Sequence, residues 1–135
     1  MPNDPLWLPL DEIIKVNRET VALTGEPHFL RDSGLLGSAW ARPMQLWHYL
    51  PDKPDMPTLA AVLLVGIGRN HAFEQGNHRT ALTSAVMFLN LNGLDFEDSA
   101  DLKKIVRDAV AGRISESQLA AILRSRCKIM TSDSG

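Results

Sequence analysis

Cysteine is nearly missing from this chain of 135 residues: Cys127 stands alone. One thiol excludes an internal disulfide and fits a reducing compartment. Near the end of the chain, it reads as an inert group. Excess charge is missing too. A formal net charge of −2 gives no hint of affinity for nucleic acid or a membrane, and neither is expected as a partner. Long hydrophobic runs are absent; the apolar stretch Leu59 to Ile67 is too short to span a bilayer. Met1-Pro2-Asn3-Asp4-Pro5 lacks the basic and apolar regions of a secretory signal. The four histidines show no spacing typical of a zinc site, and no internal repeat is visible. The expectation is a soluble, cytoplasmic chain, large enough to bury a core as one domain over 1–135, with flexible ends at 1–8 and 130–135.

The pattern along the chain is mostly helical. Asp11 can cap a first helix carrying Ile13, Ile14, Val16, Val21 and Leu23, and Gly25 can stop it. Asp32 or Ser33 starts a short second helix that Pro43 ends. Met44 to Leu50 then reads as an extended segment, and Pro51, Pro54 and Pro57 as a stiff exposed loop. Thr58 caps a helix to about Asn70 that is apolar nearly all round, which predicts a central place in the bundle. A further helix runs from about Asn77 to Leu91 and ends at Asn92-Gly93. Asp98 to Gly112 gives another, and Ser115 with Gln118 makes a capping box for the last. Trp40, Trp47, His28 and His48 are assigned to packing or surface.

Chemistry concentrates in His71-Ala72-Phe73-Glu74-Gln75-Gly76-Asn77-His78-Arg79-Thr80-Ala81-Leu82. Gly76 can take backbone angles other residues resist. The first N–H groups of the following helix lack internal partners and, with the helix dipole, make an anion site. Arg79 adds a rigid fork of donors suited to phosphate. In the first helical turn it opposes the dipole, which an anionic partner explains better than solvent does. A histidine beside a phosphate cradle points to phosphoryl or nucleotidyl transfer with His71 as general base. Phe73 reads as an apolar anchor for the loop, and Asn77 as an N-cap.

This run resembles the signature of the Fic/Doc family, His-x-Phe-x-(Asp/Glu)-(Gly/Ala)-Asn-x-Arg, and is most similar to the Doc (death-on-curing) branch, whose motif typically continues Asn-Lys-Arg-Thr-Ala-Leu. Arg31-Asp32, Gly34-Leu35-Leu36, Ser38-Ala39, Ala41-Arg42-Pro43, and Phe88-Leu89 with Asn92-Gly93 extend the likeness from about Leu10 to Ile122. The resemblance implies an all-α fold, a compact Fic-like bundle with a short β-hairpin or extended flap; Met44 to Leu50 is the candidate flap for aligning a target segment. It implies His71 as catalytic base, and Gly76, Asn77, His78 and Arg79 as the nucleotide-binding set, with Arg69 able to add charge. It also implies ATP as cosubstrate, with Mg2+.

The departures are as specific as the matches. The family's metal-binding acid falls at Gln75, a neutral amide and a weaker ligand for magnesium; Glu74, one residue earlier, substitutes only if the loop shifts. His78 replaces the usual lysine of the Doc branch. Leu82 stands where many Fic adenylyltransferases carry a second arginine, which Doc proteins also lack. The resemblance therefore implies a Doc-like toxin: a protein kinase moving phosphate from a nucleoside triphosphate to a hydroxyl of a target protein, a translation factor in the known case. Protein adenylyltransfer is the alternative, and a degenerate member that binds nucleotide or a partner without chemistry is the second. Many Fic proteins inhibit themselves through (Ser/Thr)-x-x-x-Glu-(Gly/Asn); no glutamate here precedes Gly or Asn, so a separate antitoxin is expected.

Overall fold

The computed structural model describes residues 4–131 as a helical bundle, as expected. The order is α1 (Leu10–Leu23), α2 (Ser33–Tyr49), α3 (Met56–Asn70), α4 (Asn77–Leu91), β1 (Leu94–Phe96), α5 (Leu102–Ala111), α6 (Glu116–Ser125) and β2 (Cys127–Ile129). Helix α3 occupies the centre and packs against α2, α4, α5 and α6. Leu59 to Val65, with Ile67 and Gly68, is buried without interruption, which its all-round apolarity requires. Two glycines let neighbours approach it closely. A Cβ on Gly68 would lie 2.4 Å from Val110 Cγ2 of α5, and one on Gly66 3.1 Å from Ala39 Cβ of α2.

Helix α2 corrects the sequence reading. It runs through Pro43 to Tyr49, so of the expected flap Met44 to Leu50 all but the C-cap Leu50 is helical, and the segment is not a flap. Proline inside a helix removes one backbone hydrogen bond and costs about 3 kcal/mol. Here Leu36, Ala39, Pro43 and Trp47 form one buried face, and burial of that face offsets the loss. The small sheet that does exist pairs β1 with β2 antiparallel, joining Leu94 to Ile129, Asp95 to Lys128 and Phe96 to Cys127. The extended segment beside the loop that follows His71 is instead the stretch around Leu30, which forms an isolated antiparallel bridge with Phe73.

Other boundaries shift by small amounts. Helix α1 starts at Leu10 with Pro9 at the cap, so Asp11 lies inside the first turn. Asp55, rather than Thr58, caps α3: its carboxylate accepts from the Thr58 N–H at 3.0 Å. Helix α5 begins at Leu102, later than Asp98. The Ser115–Gln118 capping box of α6 is formed as expected. The expected flexible end at 1–8 does not extend to Leu6–Leu8. Trp7 stacks on Phe88 at 5.8 Å, Leu8 is buried, and the Leu6 N–H bonds Asn92 Oδ1 at 2.8 Å. At the other end the Met130 N–H bonds the Gly93 carbonyl; residues 1–3 and 132–135 lie outside the described span.

Candidate active site

Helix α3 ends abruptly at His71, whose φ of 49° and ψ of 43° are left-handed. Among the described residues it is the one non-glycine with positive φ. For a side chain that conformation costs about 1–2 kcal/mol, and such strain gathers at functional sites. The turn exposes the imidazole instead of packing it, and Arg31 holds it open by donating from Nη2 to the His71 carbonyl at 3.1 Å.

The loop after His71 is pinned at several points. Phe73 is fully buried and anchors it. Asn77 clamps it from the other side: Oδ1 accepts from the Phe73 N–H at 3.1 Å, and Nδ2 donates to the Phe73 carbonyl at 2.7 Å. The Glu74 N–H bonds the Phe29 carbonyl, and the Ala72 carbonyl accepts from Arg31 and Asp32. Gly76 has φ of 75°, and a Cβ there would come within 2.9 Å of Val21 Cγ1, so both conformation and space require glycine. Gly76 is the N-cap of α4, and no side chain caps that helix. Its first N–H groups are thus left for an external acceptor.

Asn17 of α1 is the support that sequence reasoning missed. It is fully buried. Its Nδ2 donates to the Gln75 carbonyl at 2.8 Å and to Thr80 Oγ1 at 3.0 Å. With both amide hydrogens used, Oδ1 accepts from His28 Nδ1 at 2.8 Å, which fixes that imidazole's tautomer. His28, assigned to packing, thus also props the loop. The available signal was a polar side chain on the apolar face of Ile13, Val16 and Val21.

Arg79 and His78 sit at the start of α4, beside one another on a cavity of about 530 Å3. Arg79 Nη2 lies 2.6 Å from the Glu26 carboxylate, which also accepts from Thr24 Oγ1. Those two hydrogen bonds, Thr24 first, hold the Glu26 carboxyl below the usual range. His78 is pushed below its ordinary value by desolvation, then by the nearby charges of His71 and Arg107. It is therefore a weaker cation at neutrality than the lysine whose place it takes.

Arg69 is committed elsewhere. Its Nε and Nη2 donate to the Val110 and Ala109 carbonyls at 2.9 and 3.2 Å, closing the end of α5. A larger cavity of about 690 Å3 lies on that side, but its charged lining is engaged as well: Arg42 pairs with Glu116. Neither a base nor an open helix start faces it.

Glu74 and Gln75 are both exposed. The bonds at the Glu74 N–H, the Gln75 carbonyl and Asn77 fix the loop's register, so Glu74 cannot slide into the place of Gln75. Among the described residues, no three His, Cys, Asp or Glu side chains gather to hold an ion. One carboxylate and one amide do not suit magnesium, which favours carboxylate and phosphate oxygens.

The model of the Fic/DOC family matches residues 7–89. The chain is similar to "Protein kinase doc" of Escherichia phage P1, 41% identical over 70 residues, 52% of this chain and 56% of that protein. It is also similar to "Toxin Doc" of Mycolicibacterium smegmatis (strain ATCC 700084 / mc(2)155), 36% identical over 94 residues, 66% of this chain and 72% of that one. The first likeness thus spans little more than half of the phage protein's length. With the motif loop, its buried anchor and the open helix start in place, the chain belongs to the Fic/DOC family.

Proposed function

We propose that this protein is a Doc-like, toxin-type kinase that transfers the terminal phosphate of a nucleoside triphosphate, ATP foremost, to a hydroxyl of a target protein. One observation carries the reading: an exposed, left-handed His71 beside the uncapped start of α4, which bears Gly76 and Arg79. The names of the two relatives, one a kinase and one a toxin, support it.

In this mechanism His71 takes the proton of the attacking hydroxyl. The first N–H groups of α4 and the Arg79 fork stabilise charge on the transferred group. Asn77 and Asn17 keep those donors in place, so little reorganisation is needed as the reaction proceeds. Magnesium, where it accompanies the nucleotide, would be held mainly by phosphate oxygens, and no step here depends on it. The exposed Phe29 and the isolated bridge at Leu30 replace Met44 to Leu50 as the guide for the target segment. The target we expect is a translation factor in the cytoplasm. Control would come from a separate antitoxin, and co-purification with a small neighbouring gene product would support that.

Incubating the protein with ATP and a cell lysate, followed by mass spectrometry of the proteins, tests the reading. A phosphate gain on one protein supports it; an adenylate gain converts it to adenylyltransfer. No gain favours the reading that Gln75 suggests, a non-catalytic nucleotide or partner binder. His71→Ala should abolish the transfer while leaving nucleotide affinity within about twofold, because the imidazole acts in the transition state. Equal transfer by His71→Ala would sink the assignment of the base.

A further inference from the structure

The peptide between Gln75 and Gly76 is held from one side. Its carbonyl accepts from Asn17 Nδ2 at 2.8 Å. In a trans peptide the N–H points opposite to the carbonyl. Drawing the Gln75 carbonyl toward α1 therefore turns the Gly76 N–H away from α1. Gly76 is left-handed and Asn77 begins the helix, and successive N–H groups in such a pair converge on one concavity that suits an anion. Among the described residues the Gly76 N–H has no acceptor, whereas Arg79 close by is already engaged by Glu26. The aim of the peptide depends in turn on which way round the Asn17 amide lies. The two ends of an amide are alike in size, so shape does not choose between them. Turned over, Asn17 would set Oδ1 against the Gln75 carbonyl, acceptor to acceptor. His28 holds it the right way round, its Nδ1 donating to Oδ1 at 2.8 Å. The His28 ring also lies 6.0 Å from the Phe73 ring, so one half-buried side chain reaches both supports of the loop.

Resting on the kinase reading above, we propose that Asn17 and His28 are positioning residues for phosphate transfer. Asn17 aims the Gly76 N–H at the oxygens of the transferred group, and His28 fixes the orientation of the Asn17 amide. Neither side chain touches the reacting atoms. Asn17 is fully buried and gives its second hydrogen to Thr80 Oγ1 at 3.0 Å, so both ends of its amide are committed. A donor aimed before the reaction starts needs no reorganisation as charge develops, which is where such a contact acts on rate.

Two measurements on the full chain test the assignment: the rate of phosphate transfer from ATP into a fixed amount of cell lysate, and the NMR shift of the Gly76 amide proton during titration with inorganic phosphate. His28→Phe keeps a ring against Phe73 and loses the donor; His28→Asn loses the ring and keeps a donor in the place of Nδ1. Asn17→Asp keeps the shape and loses both donors. In wild type, phosphate should move the Gly76 amide proton downfield, the sign of a new hydrogen bond, and His28→Phe and Asn17→Asp should lose that response. The transfer rate at saturating ATP should fall about tenfold in His28→Phe with KM for ATP within about threefold, because the first N–H groups of α4 still hold the phosphates. His28→Asn should restore most of the rate. An equal fall in His28→Asn and His28→Phe overturns the role of the donor. A wild-type rate in His28→Phe, or a wild-type Gly76 amide that phosphate does not move, overturns the proposal while leaving the kinase reading standing if phosphate is transferred. If wild type transfers nothing while its Gly76 amide responds and that of His28→Phe does not, the kinase reading falls and the aiming of the Gly76 N–H stands. Should Asn17→Asp fail to fold, the half-buried His28 decides the matter alone.

Discussion

At the scale of single residues, Gln75 is the neutral side chain at the place where the resemblance expects a metal-binding acid. Its carbonyl is tied to Asn17 while its side chain is exposed, so the amide can be exchanged without disturbing the loop. Gln75→Asp should strengthen magnesium-dependent nucleotide binding about tenfold, the order expected of one charge-assisted contact. Glu74→Ala in that background should do little. Loss of magnesium dependence on Glu74→Ala alone, with Gln75→Asp silent, would mean that the loop is displaced by one residue. Glu26 is the second point. Its carboxylate occupies the Arg79 fork that the mechanism assigns to phosphate. An exposed pair of this kind is weakened by solvent screening and yields readily to a competing anion. Freeing the fork with Glu26→Gln should therefore tighten inorganic phosphate binding by up to about fivefold in a titration. Unchanged affinity would show that anion and carboxylate do not compete.

At the scale of elements, legibility in the sequence followed the range of the interactions. Helix α4 was readable end to end, because Gly76 before it and Asn92-Gly93 after it are local signals. The capping box of α6 was readable for the same reason. Helix α2 was not, because its passage through Pro43 depends on a face buried against α3, which no local pattern records. Asp55 joins the two kinds of information, capping α3 while pairing with Arg124 of α6 at 2.7 Å. Hydrogen bonds from Arg124 and then Thr58 lower its carboxyl from 3.8 to about 2. The folded value lies below the unfolded one, so its contribution is complete above the ordinary carboxylate range and lost as pH falls through about 2. Asp55→Ala should cost about 1 kcal/mol in urea denaturation at neutral pH, the usual loss for an N-cap. That difference should shrink in acid; a gap that persists at the lowest pH would mean the carboxylate charge is irrelevant.

At the scale of the whole molecule, the site is a meeting of distant segments. Asn17 meets Gln75 because α1 lies along α4, and the segment that follows α1 brings His28 to the same amide. The motif was visible in the chain, but its supports were not, since Asn17 alone looks like a blemish on an apolar face. The left-handed backbone at His71 has a further consequence, for descent rather than for chemistry. Glycine would sit there without the Cβ clash. His71→Gly should thus be more stable than His71→Ala by about 1 kcal/mol in chemical denaturation, while both are inactive. Equal stabilities would show that the turn stores no strain. A lineage released from transfer would drift toward glycine at this position and gain stability by doing so. Histidine at position 71 therefore sits against the preference of its own backbone, which glycine would satisfy.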